Sequence, residues 1–374
     1  MATKKAYDNI SVAAPHTIKK FEMISEYVKA WVEKLMNYDK CEGVVFIDCM
    51  SNSGLYKDSN GNEIEGTPLR VSKIISDAMK KYPRKKAYIY FNDLSNEKIE
   101  LLESRLPQRT ENFIIYTEAM DGNVLLNSIS SQFDIYENMN FLLLYDPYDA
   151  AINWDAITPF LNGWGEVIIN HMLSDTVRAA KTAKKEAAVK KYEQTYQMDI
   201  EKLISIGSDK TKFEAVIEDI IQSRTGEKER YIAVFPFVNT NNALVYNLIH
   251  VTGNLAGFRL FKKTAWKVFG DKSSIKGSKN DNNQLSLIMD SATGDYTIGI
   301  KTDQGCYYPR DIAKYLQKEF YGETDVPMDV LWSKLDQHPI FPSDGYRNEI
   351  KRYLKEDFGD IVSKSSVSFS ERRL

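Results

Sequence analysis

The amino-acid sequence predicts an α/β protein in which a largely parallel sheet carries helices on both faces and a small α+β module follows. Three observations lead to this fold class. Through about residue 269, short runs of β-branched and aromatic residues alternate with longer amphipathic segments, as in a sheet covered by helices. The length of 374 residues leaves room for a second unit. The composition then changes at about residue 270.

Each element of the sheet domain, residues 1–269, has its own signal. Residues 16–37 repeat apolar side chains at spacings of three and four, which predicts an amphipathic helix. Continuous or alternating apolar runs predict five strands, at 43–48, 86–93, 112–118, 140–146 and 165–170. Amphipathic segments between them predict helices at 68–81, 95–106 and 122–132. Strands at 230–238 and 247–252 are expected to complete the sheet as an antiparallel pair.

The C-terminal part begins with a predicted linker over 270–283, rich in Lys, Ser, Asn and Gly and nearly free of apolar residues. A small module is predicted over 284–374. It is expected to hold a strand pair at 286–290 and 296–302, helices at 310–320, 327–337 and 345–357, and a short strand at 360–362. Pro327 suits a first helical turn. This order of elements would suit a winged-helix module.

Composition and charge limit the possible functions. Lys and Arg total 49 against 52 Asp and Glu, so the formal net charge is -3, and no global positive field draws the chain to phosphates. A nucleic-acid surface would have to be local. Hydrophobic residues at 43% and aromatic residues at 12% are typical of a folded chain.

Cysteine and histidine usage argues against disulfides and metals. Cys41, Cys49 and Cys306 are odd in number and lack metal-type spacing, so free thiols in a reducing compartment are expected. The four histidines lie too far apart in sequence for a zinc signature. The sequence shows neither a signal peptide nor a run of about 18 apolar residues. We therefore expect a cytoplasmic protein without a metal.

The first candidate site is the turn F-I-D-C-M-S-N-S-G-L-Y at 46–56, where a strand ending in Asp48 passes into small residues. Ligands of open α/β sheets bind at the carboxyl ends of the strands, and a nucleotide-type cofactor needs close approach of the backbone there. Gly54 permits that approach. Asn52 is expected to take the left-handed conformation that a second glycine would provide. The alternative is an ordinary strand-to-helix connection.

The next two strands also end in polar side chains. Asp93 is placed to accept both ribose hydroxyls of an adenosine cofactor, although it could instead cap helix 95–106 together with Ser95. Asp121 and Asn123 are placed to bond an adenine edge, with a simple polar turn as the alternative.

The fourth strand ends in D-P-Y, formed by Asp146, Pro147 and Tyr148. This resembles the D-P-P-Y turn of methyltransferases that act on exocyclic amino groups. There, acceptors on the amine hydrogens turn the nitrogen lone pair toward an electrophilic methyl group, and the ring stacks on the substrate. We assign these three residues as catalytic candidates. In the alternative interpretation Asp146 caps a turn and Tyr148 packs against Trp154.

Taken together, the chain from about 15 to 268 resembles the three-Cys-motif partner protein family. The matching positions are H-T-x-x-K with Y-V-x-x-W (His16, Lys20, Tyr27, Trp31), the V-F-I-D strand with Gly54 and Tyr56, G-T-P-L at 66–69, D-G-N at 121–123, D-P-Y at 146–148, I-I-N with a later Arg (Asn170, Arg178) and K-T-A-W-K-V at 263–268. The resemblance implies a Rossmann-like methyltransferase domain and a three-Cys-motif protein as partner. The family turn D-x-F-A-G-x-G reads D-C-M-S-N-S-G here, with Met50 and Asn52 as departures.

A basic segment follows the fifth strand. Its lysines predict a phosphate-contacting helix near the rim of the site, in which Trp266 could stack a nucleic-acid base. The candidate nucleic-acid contacts are Lys184, Lys185, Lys190, Lys191 and Trp266. The alternative is a solvated helix face with Trp266 in the core.

The leading functional hypothesis is an S-adenosylmethionine-dependent methyltransferase that acts on an amino group, with nucleic acid as the favoured acceptor. The predicted cofactor contacts are Asp48, Asn52, Gly54, Asp93 and Asp121. The alternative is a catalytically degenerate partner subunit that keeps the fold and binds another protein or nucleic acid. An open path at the 48–54 turn would favour catalysis, whereas side chains of Met50 and Asn52 filling the cofactor volume would favour the partner role.

Overall fold

The computed structural model describes residues 10–147, 151–172, 186–206, 210–241, 244–275, 285–289, 296–300 and 306–371. A central sheet of seven strands lies between two layers of helices, and a smaller α+β module follows. The predicted α/β class, with a Rossmann-like and mostly parallel sheet, is confirmed.

The seven strands of the central sheet lie close to the predicted positions, because buried parallel strands are nearly continuous apolar runs. A short additional hairpin, which was not predicted, follows the first strand. The strands are β1 (Gly43–Asp48), β2 (Leu55–Lys57), β3 (Glu63–Glu65), β4 (Lys86–Asn92), β5 (Phe113–Glu118), β6 (Met139–Tyr145), β7 (Gly165–Met172), β8 (Tyr231–Val238) and β9 (Leu244–Thr252). The order across the sheet is β5-β4-β1-β6-β7-β9-β8. Within this sheet, β5, β4, β1, β6 and β7 are parallel to one another. As predicted, β9 and β8 complete the sheet as an antiparallel pair.

This strand order places the site. The chain moves outward from β1 to β4 and β5 on one side and then returns to β6 on the other. Asp48 at the end of β1 lies level with Phe91 of β4 and Leu144 of β6. The polar residues that follow these strands therefore meet at one edge, beside the point where the strand order reverses.

Helices cover both faces. They are α1 (Pro15–Met36), α2 (Thr67–Lys81), α3 (Asn96–Glu103), α4 (Gly122–Ser130), α5 (Trp154–Asn162), α6 (Glu186–Tyr196), α7 (Ile200–Ile206), α8 (Lys210–Thr225) and α9 (Leu255–Val268). Trp31 and Phe261 from α1 and α9 belong to the core on one face. Leu126 and Ile157 from α4 and α5 belong to the core on the other. None of the helices in the described ranges is long and apolar enough to cross a membrane.

The predicted C-terminal elements also lie near their expected positions, and two short strands that were not predicted join them. The elements are β10 (Leu285–Met289), β11 (Tyr296–Ile300), α10 (Pro309–Glu319), β12 (Val326–Pro327), α11 (Met328–Asp336), α12 (Arg347–Glu356), β13 (Ile361–Val362) and β14 (Ser366–Ser368). β10 and β11 pair antiparallel, and β12, β14 and β13 form a small sheet. Pro327 is the N-cap of α11 and precedes its first turn. The winged-helix assignment stays a prediction.

Helix α9 packs against the C-terminal module, which corrects one of the nucleic-acid assignments. Trp266 has no exposed surface, and its indole Nε1 donates to the carbonyl oxygen of Ile340 at 3.0 Å. A base cannot stack on this ring, so the prediction for Trp266 was wrong and its core alternative is correct. The helical period, which turns Trp266 inward between the exposed Lys263 and Lys267, is the physical reason.

Lys262 joins the same two parts. Its ammonium donates to the carbonyl oxygens of Leu335 and His338 at 2.8 and 2.9 Å, at the end of α11. It also lies 3.9 Å from the centroid of the Phe258 ring. Burial lowers the pKa of Lys262 to about 7. The side chain therefore acts as a buried cap of α11. Its ammonium is not accessible to a phosphate group in solvent.

Replacing Lys262 with methionine should lower the free energy of unfolding by about 1–3 kcal/mol, because both carbonyl oxygens lose their donor while the apolar stem is kept. Urea denaturation of the full chain measures this change. The matched control is Lys263→Met at the adjacent exposed position, which should be nearly neutral. Equal effects of the two substitutions would show that the buried cap does not stabilise the fold.

Candidate functional site

A cavity of about 750 Å³ lies at the carboxyl edge of the sheet. Residues following β1, β4, β5 and β6 contribute to its wall, and α6 and α8 contribute to its rim. The wall residues that matter for its chemistry are Cys49, Met50, Asp93, Asp121, Asn123 and Pro147. The sequence therefore correctly placed several predicted site residues around one space.

The turn after β1 has the backbone conformation that was predicted for it. Asn52 has a φ of 58° and Gly54 a φ of 69°, so Asn52 does take the left-handed conformation in place of a glycine. The Asn52 side chain bends back and accepts a hydrogen bond from the Ser53 amide at 2.7 Å. Among the described residues, Met50 lines the cavity and Asn52 does not. One of the two departures from the family turn thus leaves the space open.

Gly122 begins α4 directly against this turn. A Cβ atom at position 122 would lie 2.8 Å from the carbonyl oxygen of Cys49 and 3.4 Å from the Met50 methyl group. The absent side chain lets α4 start beside the turn. Its D-G-N motif was recognised in the sequence, but this close approach was not.

Asp93 connects the second strand end to the first. Its carboxylate is 3% exposed and accepts hydrogen bonds from the amides of Ser95 at 3.0 Å and Asn52 at 3.2 Å. The Lys98 ammonium lies 3.6 Å from Oδ2 of Asp93. Ser95 is the N-cap of α3, with its side chain accepting from the Lys98 amide. Asp93 therefore lines the cavity and organises two turns at once, so the cofactor and structural interpretations both stand.

Asp121 and Asn123 form the third strand end. Asp121 is the N-cap of α4, and its Oδ1 accepts from the amides of Asn123 and Val124 at 2.9 and 3.2 Å. Within the described part of the chain, no group donates to its Oδ2. The Asn123 side-chain oxygen accepts from the Tyr145 hydroxyl at 3.1 Å, and Asn123 lines the cavity.

Asn92 is a site residue that sequence reasoning missed. It is 1% exposed, and its side-chain amide donates to the carbonyls of Cys49 and Met120, each at 2.9 Å. Its oxygen accepts from the Met120 amide at 3.1 Å. The Asn92 side chain thus links the ends of β1, β4 and β5 by hydrogen bonds. The available signal was an asparagine as the last residue of a strand beside Asp93.

Asp146 lies at the end of β6 between two partners from distant parts of the chain. The Lys20 ammonium, from α1, lies 2.5 Å from its Oδ2, and the Asn170 amide of β7 donates to its Oδ1. Lys20 is only 7% exposed. Pro147 lines the cavity, whereas the Asp146 carboxylate is set back from it and already bound. Lys20 and Asn170 were recognised as matching positions, but their meeting at Asp146 was not predicted.

Asp48 lies near the Asp146 carboxylate. It is 3% exposed, and its Oδ1 accepts from the Met50 amide at 3.3 Å. Burial, and then the nearby Asp146 carboxylate, raise the pKa of Asp48 to about 8. At neutral pH Asp48 is therefore mainly uncharged. The Lys20 ammonium then balances the single negative charge on Asp146.

This protonation predicts a pH dependence of stability. The carboxyl ionises near its ordinary pKa of 3.8 in the unfolded chain and near 8 in the folded chain. The folded state therefore keeps a proton that the unfolded state has lost, and its stability falls as pH rises from about 4 to about 8. Asp48→Asn lacks this group. We expect its free energy of unfolding, relative to wild type, to rise by ~2 kcal/mol or more between pH 5 and pH 8. Denaturation at both pH values measures the difference, and parallel pH profiles would contradict the raised pKa.

Among the described site residues, Asp48, Asn52, Gly54 and Asp146 do not line the cavity. Tyr148, Lys184 and Lys185 lie outside the described residues. Lys190 is exposed on α6, and Lys191 lines the rim of the cavity. No group of histidine, cysteine, aspartate or glutamate in the described ranges could hold a metal ion.

Comparisons with known proteins give only distant similarities. No family model and no curated protein matches the chain. A Legionella pneumophila protein of the DUF519 family aligns at 12% identity and a TM-score of 0.40, over 67% of this chain and 92% of its own. Trm1 from Pyrococcus horikoshii, in complex with S-adenosyl-L-methionine, aligns at 11% identity and a TM-score of 0.33, over 80% and 71% of the two chains. Loganic acid methyltransferase with SAH aligns at 11% and 0.25, over 68% and 85%.

Proposed function

We propose that this chain is an S-adenosylmethionine-dependent methyltransferase acting on an amino group, with nucleic acid as the favoured acceptor. The observation that carries the proposal is the 750 Å³ cavity, where three strand ends bring Asp93, Asp121, Asn123 and Pro147 to one wall. Its size lies within the range of small-molecule sites, roughly 300–1,000 Å³. Its position, at the reversal of strand order, is where open α/β sheets bind nucleotides.

The residues present fit an adenosine-type cofactor. Asp93 would accept the ribose hydroxyls, and the open Oδ2 of Asp121 with the amide of Asn123 would meet the adenine edge. The Asn52 side chain bends back and does not line the cavity, whereas Met50 of the same turn does. Bound S-adenosylmethionine would supply an electrophilic methyl group carried on a sulfonium.

The acceptor side of the proposal rests on Asp146. Its carboxylate would accept a hydrogen of the acceptor amine, which directs the nitrogen lone pair toward the methyl group. As the new N–C bond forms and the bond between the methyl group and sulfur breaks, the thioether product S-adenosylhomocysteine would leave, and the proton lost by the amine would pass to the same carboxylate. Lys20 and Asn170 hold this group in a fixed orientation. Because a carboxylate offers about four lone-pair sites, an incoming amine has to share the group with Lys20 or displace it.

The partner-subunit function is the second candidate, and one observation favours it. Lys20 already occupies Asp146 with an amine of the chain itself. In that proposal the cavity is a remnant of the fold, and the protein acts by binding a three-Cys-motif protein or a nucleic acid. Exposed Lys190 and rim residue Lys191 would then contribute to a nucleic-acid surface.

Transfer of a labelled methyl group separates the two proposals. Full-length protein is incubated with methyl-labelled S-adenosylmethionine and either DNA, RNA or a protein mixture as acceptor. Label in nucleic acid, on an exocyclic nitrogen, supports the methyltransferase proposal. Label confined to protein would reject nucleic acid as the acceptor. Absence of label from every acceptor, in a protein that still binds nucleic acid, would support the partner subunit.

A further inference from the structure

A second cavity, of about 810 Å³, lies at the opposite edge of the sheet. Its walls come from α1, the amino ends of β6 and β7, and the start of α9. Trp31, Leu35 and Leu260 supply apolar surface, and the Trp164 ring, 41% exposed, stands at the wall. This volume also lies within the range of small-molecule sites. The proposed methyl transfer makes no use of it.

A buried carboxylate borders this cavity. Glu166 is 6% exposed, and its Oε2 accepts from the Tyr27 hydroxyl and, at 2.7 Å, from Nε2 of His250. Its Oε1 accepts no hydrogen bond from any described residue. A Cβ atom at Gly257 would lie 2.5 Å from that oxygen. The missing side chain at Gly257 thus leaves room for Oε1, and both residues line the cavity.

Among the described residues, no lysine or arginine lies within ion-pair distance of Glu166, and the basic side chain that does is His250. Nδ1 of His250 is buried and has no partner in the described part of the chain. A buried carboxylate without a compensating cation or full hydrogen bonding is costly. The open oxygen therefore calls for a donor from a ligand.

Two further polar groups of this cavity are already engaged, whereas the exposed Lys34, which also lines it, has no hydrogen-bond or ion-pair partner among the described residues. The Arg230 guanidinium donates to the carbonyls of Leu161 and Glu229, at 2.8 and 2.9 Å. The Asn254 side chain accepts from the first free amides of α9, those of Ala256 and Gly257. An anionic ligand would find an unused donor in Lys34, but it would face the Glu166 carboxylate.

We propose that this second cavity binds a small organic cation in which an amidinium or ammonium group is joined to a flat apolar ring. The cationic N–H group donates to Oε1 of Glu166. The ring lies against the exposed face of Trp164 and the side chains of Leu35 and Leu260. Charge-assisted hydrogen bonding fixes the head group, and aromatic contact supplies the remaining affinity.

Benzamidine and benzamide are matched probes for this site, because they share the ring and differ in charge. Calorimetry on the full chain should show benzamidine binding, with benzamide at least roughly 10-fold weaker. Glu166→Gln should remove most of that difference. Trp164→Ala should weaken both probes. Asp121→Asn, in the first cavity, is the control and should leave benzamidine binding unchanged.

Three outcomes would overturn the proposal. They are no benzamidine binding at about 10 mM, equal affinities for the two probes, and loss of binding in Asp121→Asn but not in Glu166→Gln. If Glu166→Gln does not fold cooperatively, the wild-type comparison of the probes together with Trp164→Ala decides. If Trp164→Ala keeps both the full affinity for benzamidine and the preference over benzamide, the probe binds elsewhere.

Discussion

Replacing Asp146 with asparagine is expected to lower the rate of methyl transfer by about 100-fold or more. The substitution keeps the size of the side chain but removes its charge, and it points an amide donor at an amine that needs acceptors. The affinity for S-adenosylmethionine should stay within a few-fold, because Pro147 and not the Asp146 carboxylate lines the cavity. Single-turnover transfer and calorimetric titration measure the two quantities.

The Lys20 pair needs a control in this experiment. Asp146→Asn also leaves the Lys20 ammonium without its counter-charge at a site where Lys20 is only 7% exposed, so some loss of stability is expected. Combining Asp146→Asn with Lys20→Met removes that unpaired charge. If the double variant recovers stability but not transfer, Asp146 acts on the acceptor. Recovery of transfer would show that the carboxylate serves only to neutralise Lys20.

Asp93→Ala is expected to lower the affinity for S-adenosylmethionine by about 10- to 100-fold. The physical reason is the loss of charge-assisted hydrogen bonds to the ribose hydroxyls, worth about 1.5–3 kcal/mol. Calorimetric titration at one salt concentration measures the change. Unchanged affinity, with binding present in both proteins, would remove Asp93 from the cofactor site.

Asp93 also supports the fold, so a second variant separates its roles. Its carboxylate holds the amides of Asn52 and Ser95. Asp93→Asn keeps one acceptor oxygen and should preserve most of this support while still weakening cofactor binding. The matched surface control is Asp77→Asn, at an exposed ion pair on α2, which should alter neither property.

The sheet could be predicted from the sequence because its signal is local. Strands such as β1 and β6 are buried along their whole length, and buried parallel strands are continuous apolar runs that need no knowledge of their neighbours. The topology then brings the residues that follow these strands together, since parallel strands present their carboxyl ends at one edge of the sheet. That is why Asp93, Asp121 and Pro147 could be assigned to one site before their positions were known.

The remaining features depend on contacts between distant segments. Lys20 and Asp146 are 126 positions apart, and nothing near either residue in the sequence indicates their pairing. Glu166 is the second residue of a strand and reads as an exposed end, yet packing of α1 and α9 buries it. Trp266 shows the opposite case. Its flanking lysines suggested an exposed position, but the helical period turns the Trp266 side chain inward.

Calorimetric titration of the full chain with S-adenosylmethionine and with its demethylated product, S-adenosylhomocysteine, is the most direct test of the proposed cofactor site. We expect binding of both, with a stoichiometry near one and with loss of affinity in Asp93→Ala. The result that would contradict this expectation is the absence of binding heat at about millimolar concentration from a protein that is folded by its denaturation profile. The cavity at the carboxyl edge would then not be a cofactor site.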